Sequence, residues 1–497
     1  MPNDKTPSRP PATAQHDGRK RGIVDGIALW LFIIVLLLCP LPDGSVGPMW
    51  VTVWVTVSCA VVLLVSYRDL PRGAVWVFGG LFAVLAGYGL VAYLQSVSPG
   101  PLPLPIWVET AAMLGNQIAP LSGSIRDAPL FFLGRPLLAA LVLTAAIALG
   151  ADRRHASRIS WALIITACLY GTIGAIALVF SLTALRPFDQ EGSLTAFFIS
   201  RNTTATYLGT ALLVTVSLIV VPVRARLREG VPLNGIFSDP ANRRLLILTG
   251  AALFLLILLP LTKSRAGLML TLLLVLGTVA QSLRGAVRSR MVAALAVLGV
   301  FALVYGLSGE GWRTRQATVG LDTLGRLDAY RAQLAGIAEH PVLGLGLGSF
   351  AETFQRYRPP ELGISGIFDI GHSTPLELAF EGGLPLAGLV GAFVIGCGVV
   401  LVRGLKRRPR DPYILSGLLV GLLGLAHSSF DFSLQIPGYL IVYLAVVGIG
   451  LSRALMPEET VVVRRRVRAD SDATRATAPL AAFRGTGAGT PPAPPPD

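Results

Sequence analysis

Four side chains near the ends of apolar runs could carry out chemistry on an anionic substrate. His372 lies in GHSTPLE, directly before an apolar run, and a neutral imidazole there suits a general base near neutral pH. Arg201 precedes NTTATY at the start of another apolar run, where the free N–H groups of a helix N-terminus would help its guanidinium to bind an anion. Lys263 and Arg265 share the short segment TKSRAG, and an arginine fork fits phosphate oxygens.

Each of these residues also has a plainer explanation. Arg201, Lys263 and Arg265 could be cations at helix ends whose charged groups reach the membrane surface, and His372 could be a surface histidine. Arg326, which has an acidic neighbour in GRLDAYR, could bind substrate or lie on a solvated helix face. If these residues share a substrate site, His372 should face the arginines across a cleft. The plainer explanation makes no such prediction.

The residues that follow His372 predict the start of a helix. TPLE matches a capping box, with Thr374 as the N-cap, Pro375 at the first helical position and Glu377 at the third. This interpretation explains Glu377 without a catalytic role. Glu381 falls one turn later on the same face, so we expect it near the membrane interface and keep it as a secondary candidate.

Two further motifs lie close to apolar runs. His427 and Asp431, in HSSFDF, form either a second pair of site residues or a polar turn between two spans. The glycine-rich run at 344–349, GLGLGS, resembles a phosphate-binding loop only superficially, because it has neither the lysine nor the spacing of such loops. We expect a plain turn there.

The composition predicts that these residues are positioned by membrane-spanning helices. Of 497 residues, 53% are apolar and 14% are charged, whereas soluble proteins have about 25% charged residues. Several apolar runs are long enough to cross the roughly 30 Å hydrocarbon core as helices. They are continuous, which excludes the alternating pattern of a β-barrel. The predicted fold class is therefore an all-α polytopic membrane protein.

About twelve spans are predicted, and they divide the chain into five parts. Residues 1–22 are expected to be a disordered N-terminus, 309–383 a large, partly helical loop domain, and 454–497 a low-complexity tail. The transmembrane parts are 23–308 and 384–453. Their spans are placed at 23–39, 50–66, 74–95, 134–150, 159–182, 203–222, 245–261, 266–282, 291–308, 384–402, 412–428 and 437–453.

The basic residues alternate between connections and predict the orientation. The positive-inside rule places connections rich in arginine and lysine in the cytoplasm, together with both termini, so the loop at 309–383 faces the periplasm. The net charge of +14 then reflects membrane orientation, and no nucleic-acid partner is expected. The basic connections contain Arg68 and Arg72; Arg153, Arg154 and Arg158; Arg224, Arg226, Arg228, Arg243 and Arg244; Arg284, Arg288 and Arg290; and Arg403, Lys406, Arg407, Arg408 and Arg410.

No metal or cofactor is expected from the sequence. The four cysteines, Cys39, Cys59, Cys168 and Cys397, lie in or beside apolar runs without a C-x-x-C spacing, so they are expected to be inert thiols. There is no cluster of acidic residues on the predicted outer side that would demand Mg²⁺.

Four motifs in order resemble the O-antigen ligase and polymerase superfamily of bacterial membrane glycosyltransferases. They are SRAG, HPVLGLGLGSF, GHSTPLELAFEGGLPLAG and HSSFDFSLQIPG, all on the predicted outer side. The resemblance covers about residues 25–453. The N-terminal extension and the proline-rich tail lie outside it.

This resemblance implies a donor, an acceptor and roles for the candidate residues. The donor would be a glycan on undecaprenyl pyrophosphate, and the acceptor a sugar hydroxyl on lipid A–core or on another lipid-linked glycan. His372 would be the base, Arg201 and Arg265 would hold the pyrophosphate with Lys263 close by, and Arg326 would be a less certain third arginine. In-line attack would invert the anomeric carbon at the outer face of the inner membrane. Membrane lipids are the other expected partners.

Three alternatives remain open at this stage. The shared motifs do not separate a ligase from an O-antigen or exopolysaccharide polymerase, although we favour the ligase, and a ligase acting on protein is a further option. A lipid-glycan flippase or secondary transporter would also have about twelve spans. The large external loop, the missing G-x-x-x-D-R pattern and the absence of a convincing internal repeat argue against a transporter.

Overall fold

The computed structural model describes most of the chain as a bundle of helices. Described residues are 12–68, 70–71, 73–115, 117–182, 192–282, 299, 311–362 and 368–457, with side chains described there except at 12–21, 241, 311–324 and 361. Their α-helices are α1 (Ala12–Leu38), α2 (Pro48–Val65), α3 (Ala74–Ser96), α4 (Pro105–Leu114), α5 (Ala128–Phe132), α6 (Gly134–Gly150), α7 (Arg153–Val179), α8 (Arg201–Arg228), α9 (Leu233–Ser238), α10 (Arg243–Leu261), α11 (Arg265–Ser282), α12 (Gly311–Glu339), α13 (Phe350–Thr353), α14 (Thr374–Arg407), α15 (Pro412–Ser428) and α16 (Pro437–Leu455).

The lengths and composition of these helices confirm the predicted all-α polytopic membrane protein. Within the described ranges, nine helical segments are long and apolar enough to cross a membrane, and Gly22–Leu38 and Pro412–Ser428 are shorter apolar helices. Together they coincide with every predicted span except the ninth. That span, at 291–308, lies outside the described residues apart from position 299, so the total of about twelve stays a prediction.

The predicted boundaries of the chain segments agree with the structure only in part. The helix α1 begins at Ala12, within the N-terminal segment 1–22, and the disorder expected for that segment stays a prediction. The tail from 458 to 497 lies outside the described residues. In the predicted loop domain, α12 ends at Glu339, just before Pro341 and the glycines that follow it, because these residues do not continue a helix.

Small residues form much of the packed face of α12. Leu327 and Leu334 are 45% and 53% exposed, whereas Ile337 is buried. Ala329 and Ala332 are buried as well, and a Cβ on Gly336 would collide with the ring of Phe380 on α14. The close approach of these two helices leaves no room for leucine at the contact.

Close contacts between small residues build the centre of the bundle. α8 and α16 are the most buried of the described spanning helices. A Cβ added to Gly417 of α15 would lie 2.9 Å from the Cα of Gly450 on α16. A Cβ on Gly448 would lie 2.6 Å from the Cβ of Ala146 on α6. Small residues allow membrane helices to approach closely and gain van der Waals contact.

Ion pairs tie the helices together at one end of the bundle, which we call the basic end. Arg68 binds Asp25 of α1 at 2.7 Å and donates to the carbonyl of Ala148 at the end of α6. Arg453, near the end of α16, binds Asp411 at 2.9 Å. With the hydrogen bond from Arg453 to the carbonyl of Ala151, these contacts bring together the middle of α1, the end of α16 and the connections α2–α3, α6–α7 and α14–α15. At the opposite end, which contains His372, Asn202 meets Asp431.

Candidate active site

His372 lies at the opposite end from the ion pairs, in a short segment held by α12 and α14. Its backbone has a φ of 55°, an uncommon conformation for a residue with a side chain. The hydroxyl of Tyr330 donates to the carbonyl of His372 at 3.0 Å. The neighbouring Gly371 is held on both sides, because its N–H donates to Glu377 Oε2 at 2.5 Å and its carbonyl accepts from Gln333 Nε2 at 2.9 Å. The surrounding helices therefore fix the strained backbone.

A carbonyl group selects the tautomer of the His372 ring. Nδ1 lies 3.0 Å from the carbonyl oxygen of Ile370. Since a carbonyl oxygen can only accept, Nδ1 must carry the hydrogen, and the lone pair of the neutral ring is on Nε2. The ring stands perpendicular to Phe432 at 5.4 Å and also contacts Phe368. The imidazole can therefore accept a proton at Nε2 while Nδ1 stays bound.

The surroundings of His372 favour its neutral form. Burial lowers the pKa of His372, the positive charge of Arg326 lowers this pKa further, and the negative charge of Asp431 opposes them. The overall direction is downward. A histidine whose pKa is lowered is unprotonated at neutral pH and available as a base.

Arg326 belongs to this site by its electrostatic effect on its neighbours. It lies one helical turn before Tyr330. Burial raises the pKa of Tyr330 and the charge of Arg326 opposes that rise, while the same charge adds to the lowering of the His372 pKa by burial. The ion pair on the solvated face of α12 is made by another arginine, because Arg331 binds Asp328 at 2.9 Å and its side chain is 77% exposed. Arg326 itself is half-buried, and both explanations of it, a solvated helix face and substrate binding, stay predictions.

A second polar cluster joins α8, α15 and the turn that follows α15. Asn202 Nδ2 donates to Asp431 Oδ2 at 2.6 Å, and the hydroxyl of Ser433 donates to Asp431 Oδ1 at 3.0 Å. His427 Nδ1 lies 2.9 Å from Thr206 Oγ1 and 3.1 Å from Ser433 Oγ. His427 and Asp431 are buried, at 0% and 1% exposure. His427 and Asp431 are therefore buried members of one hydrogen-bond network at the end of α15 and in the turn after it, and their role as site residues stays a prediction.

The turn after α15 connects this network with His372. Phe432, between the networked residues Asp431 and Ser433, carries the ring that contacts His372. The hydroxyl of Thr374 lies 3.5 Å from the carbonyl of Asp431. The network therefore packs directly against the segment that contains His372.

Arg201 and Arg265 begin two neighbouring helices at this end of the bundle. Arg201 starts α8, directly before Asn202, and Ser200 caps the helix by accepting from the Asn202 N–H at 3.2 Å. Arg265 starts α11. A Cβ on Gly267 would lie 2.6 Å from Ala205, and further along the two helices Gly209 meets Thr271.

These contacts show that α8 and α11 run parallel, with their N-termini side by side. Each N-terminus carries a partial positive charge from the helix dipole. Arg265 and Lys263 are exposed, Arg201 is half-buried, and the Lys263 Nζ approaches Gly192. The predicted cations thus share one end of the bundle with His372, in a region of concentrated positive charge.

The predicted capping box is wrong by one residue, and the correction changes the role of Glu377. Ser373 is the N-cap, Thr374 starts the helix, and Ser373 makes no side-chain capping hydrogen bond. The Glu377 carboxylate instead reaches back to the N–H of Gly371. Glu377 therefore positions the segment that holds His372.

Glu381 supports a different loop. Its Oε1 accepts from the N–H of Phe350 at 2.9 Å, and its carbonyl accepts from the N–H of Gly346 at 3.0 Å. The side chain of Gln95 accepts from the N–H of Leu347. The glycine-rich segment thus uses these N–H groups for contacts within the protein, in agreement with the predicted turn. Glu381 anchors that turn and makes no described hydrogen bond to His372.

Several residues of the site were missed in the sequence. They are polar groups that have a partner far away in the chain, namely Asn202, Thr206, Tyr330, Gln333 and Ser433. The only signal was spacing: Asn202 and Thr206 stand four residues apart on one helix face, as do Arg326 and Tyr330. Spacing indicates a shared face but does not identify what that face contacts.

Comparison with known proteins finds a family model that matches part of this chain. No curated protein matches the chain. The family model described as O-Antigen ligase matches residues 250–391, a range that contains Arg265, Arg326 and His372. The resemblance predicted from the four motifs is confirmed over this range, because residues 250–391 are similar to the O-antigen ligase family.

Proposed function

We propose that this protein is an O-antigen ligase that transfers a glycan from undecaprenyl pyrophosphate to a sugar hydroxyl of lipid A–core. The observation that carries the proposal is the tautomer of His372: Nδ1 donates to a carbonyl, which leaves Nε2 able to accept a proton. His372 lies at the same end of the bundle as Arg201 and Arg265, the first residues of α8 and α11. A base and an anion-binding region are the two features that this transfer requires.

In the proposed reaction, His372 activates the acceptor. Nε2 takes the proton of the sugar hydroxyl while the hydroxyl oxygen forms a bond to the anomeric carbon of the donor. The bond between that carbon and the pyrophosphate oxygen breaks, and the pyrophosphate leaves with the electron pair. Attack occurs opposite to the leaving group, so the configuration at the anomeric carbon is inverted.

The cations stabilise the leaving group. Arg201 and Arg265 would bind the pyrophosphate oxygens through their guanidinium forks, assisted by the two helix N-termini, with Lys263 and Arg326 adding positive charge. Pyrophosphate is a good leaving group, so this charge stabilisation is what the bond-breaking step needs. The mechanism uses no metal.

We place the site on the periplasmic side of the inner membrane, with both termini in the cytoplasm. The arginine-rich connections lie at the end opposite to His372, and the positive-inside rule puts such connections in the cytoplasm. The lipid-linked donor would then reach His372 from the outer leaflet.

The test is a genetic replacement read out on envelope glycans. A deletion strain carrying His372→Ala should accumulate full-length polymer on the lipid carrier and bare lipid A–core. His340→Ala is the matched control, because His340 directly follows α12 and makes no described contact with His372. Normal glycans with a well-expressed His372→Ala protein would refute the base assignment, and single-repeat caps alone would indicate a polymerase.

The donor site has its own test. Arg265→Lys keeps the charge but removes the bidentate fork, and should weaken donor use about tenfold, since a charge-assisted hydrogen bond contributes about 1.5–3 kcal/mol. Arg126→Lys, at an exposed arginine elsewhere in the chain, is the control. Equal donor affinity in both variants would exclude bidentate binding by Arg265.

A further inference from the structure

A cavity of about 300 Å³ lies at the basic end of the bundle, away from His372. Its described lining comes from four helices: the last turns of α8, α11 and α14, and the first turns of α15. α8 and α15 pack against each other, and α11 packs against both. The volume is at the lower limit of those that hold small ligands.

The polar part of this cavity is positively charged. Arg224 of α8 and Lys406 of α14 both line it, together with the amide of Gln281 and the hydroxyl of Thr278. No acidic side chain occurs among its described lining residues. Two cations and neutral donors around one cavity favour a phosphate group, which accepts several charge-assisted hydrogen bonds.

The rest of the lining is apolar and continues along the surface of α14. Leu415 and Leu418 of α15 line the cavity, and so does Val402 of α14, which is 41% exposed. Val399 and Ile395 precede Val402 at helical spacing and are 41% and 69% exposed. An exposed apolar row on a spanning helix is covered by hydrocarbon, and this row leads directly to the cavity.

We propose that this cavity binds an anionic glycerophospholipid. The phosphate contacts Arg224 and Lys406, and one acyl chain runs along Ile395, Val399 and Val402. Basic pockets between spanning helices at the cytoplasmic surface are suited to anionic headgroups. The lipid would stabilise the end of α8, the helix whose first residue is Arg201.

The test measures bound lipid on the purified full-length protein. Native mass spectrometry in detergent should show phosphatidylglycerol retained in preference to phosphatidylethanolamine. The double variant Arg224→Gln with Lys406→Gln should lower the bound fraction at least tenfold. The control double variant Arg403→Gln with Arg407→Gln removes the same charge from exposed residues of the same helix that do not line the cavity, and should retain the lipid.

A second measurement distinguishes a lipid site from a misfolded protein or a simple anion site. Phosphatidylglycerol should raise the Tm of the wild type and of the control, but not that of the cavity variant, because a ligand stabilises only the state that binds it. The single variant Lys406→Gln, at an exposed residue, should show an intermediate loss. Three results would overturn the proposal. The two double variants could lose the same amount of bound lipid, or the wild type could bind phosphatidylethanolamine as well as phosphatidylglycerol. Glycerophosphoglycerol, which lacks acyl chains, could also displace the lipid as effectively as phosphatidylglycerol does.

Discussion

At the scale of single residues, the imidazole of His372 is defined by groups outside its own ring. The carbonyl of Ile370 fixes the hydrogen on Nδ1. Tyr330 and Gln333 hold the backbone from α12, and Glu377 holds it from α14. A base acts efficiently only when it is placed correctly relative to the proton that it accepts. The roles of these neighbours can therefore be tested through His372.

Glu377 is expected to act as a positioning residue. Glu377→Ala removes the acceptor for the Gly371 N–H, so the His372 segment loses one anchor, and kcat should fall roughly 10- to 100-fold with little change in KM. Glu377→Gln keeps an acceptor oxygen and should recover part of the rate. The exposed Glu352→Ala provides the control. A change in KM alone would contradict the positioning role.

Arg326 is expected to shift the pH dependence. Its positive charge lowers the pKa of His372, so Arg326→Gln should raise this pKa. Transfer requires neutral His372 and falls as the pH decreases through the pKa, so the acidic limb of the rate profile should move to higher pH. Arg331→Gln removes a charge that pairs with Asp328 and should leave the limb in place. An unmoved limb in Arg326→Gln would contradict the electrostatic link.

At the scale of elements, the break in α14 determines where the spanning part begins. Gly383 has φ 80° and ψ 166°, a region that is essentially restricted to glycine. A Cβ at this position would also collide with the carbonyl of Val342. The first turns of α14, which hold Glu377, are therefore set at their own angle beside α12.

Gly383→Ala should consequently destabilise the protein. Strain at such a backbone position costs about 1–3 kcal/mol, so we expect a lower Tm and a lower yield of folded protein. Gly388→Ala in the same helix is the matched control, since nothing lies within 4 Å of a Cβ there. That change should be neutral or slightly stabilising, because alanine is the better helix former. Equal Tm values for the two variants would contradict the assigned strain.

At the scale of the whole molecule, both ends of the described bundle lie on one side. Asp25, near the start of the apolar part of α1, and Arg453, near the end of α16, are both paired at the basic end. We expect a C-terminal fusion to green fluorescent protein to fluoresce and one to alkaline phosphatase to be inactive. A phosphatase inserted between α4 and α5 should be active. Activity of the C-terminal phosphatase fusion would reverse the proposed orientation.

The sequence was most informative about the fold and less informative about the site. Apolar length predicted the described spans, because crossing a bilayer imposes a minimum length on each helix. The contacts of Asp431 with Asn202 and of Gln333 with Gly371 depend on the packing of distant helices, which no local pattern encodes. The capping-box pattern also gave the wrong role for Glu377. A capping box and a contact to the preceding loop both use a carboxylate at nearly the same position, so the sequence does not distinguish them.

The network between α8 and α15 has a consequence for exchanging parts between related proteins. Asn202, Thr206, His427 and Asp431 lie outside the matched residues 250–391, yet they support the turn that contacts His372. A chimaera that receives only residues 250–391 from this protein would place His372 among the supporting helices of a different protein. Exchange of specificity between homologues therefore requires that α8, α15 and α16 be transferred together with that range. The segment that must be exchanged is larger than the 250–391 range that matches the family model.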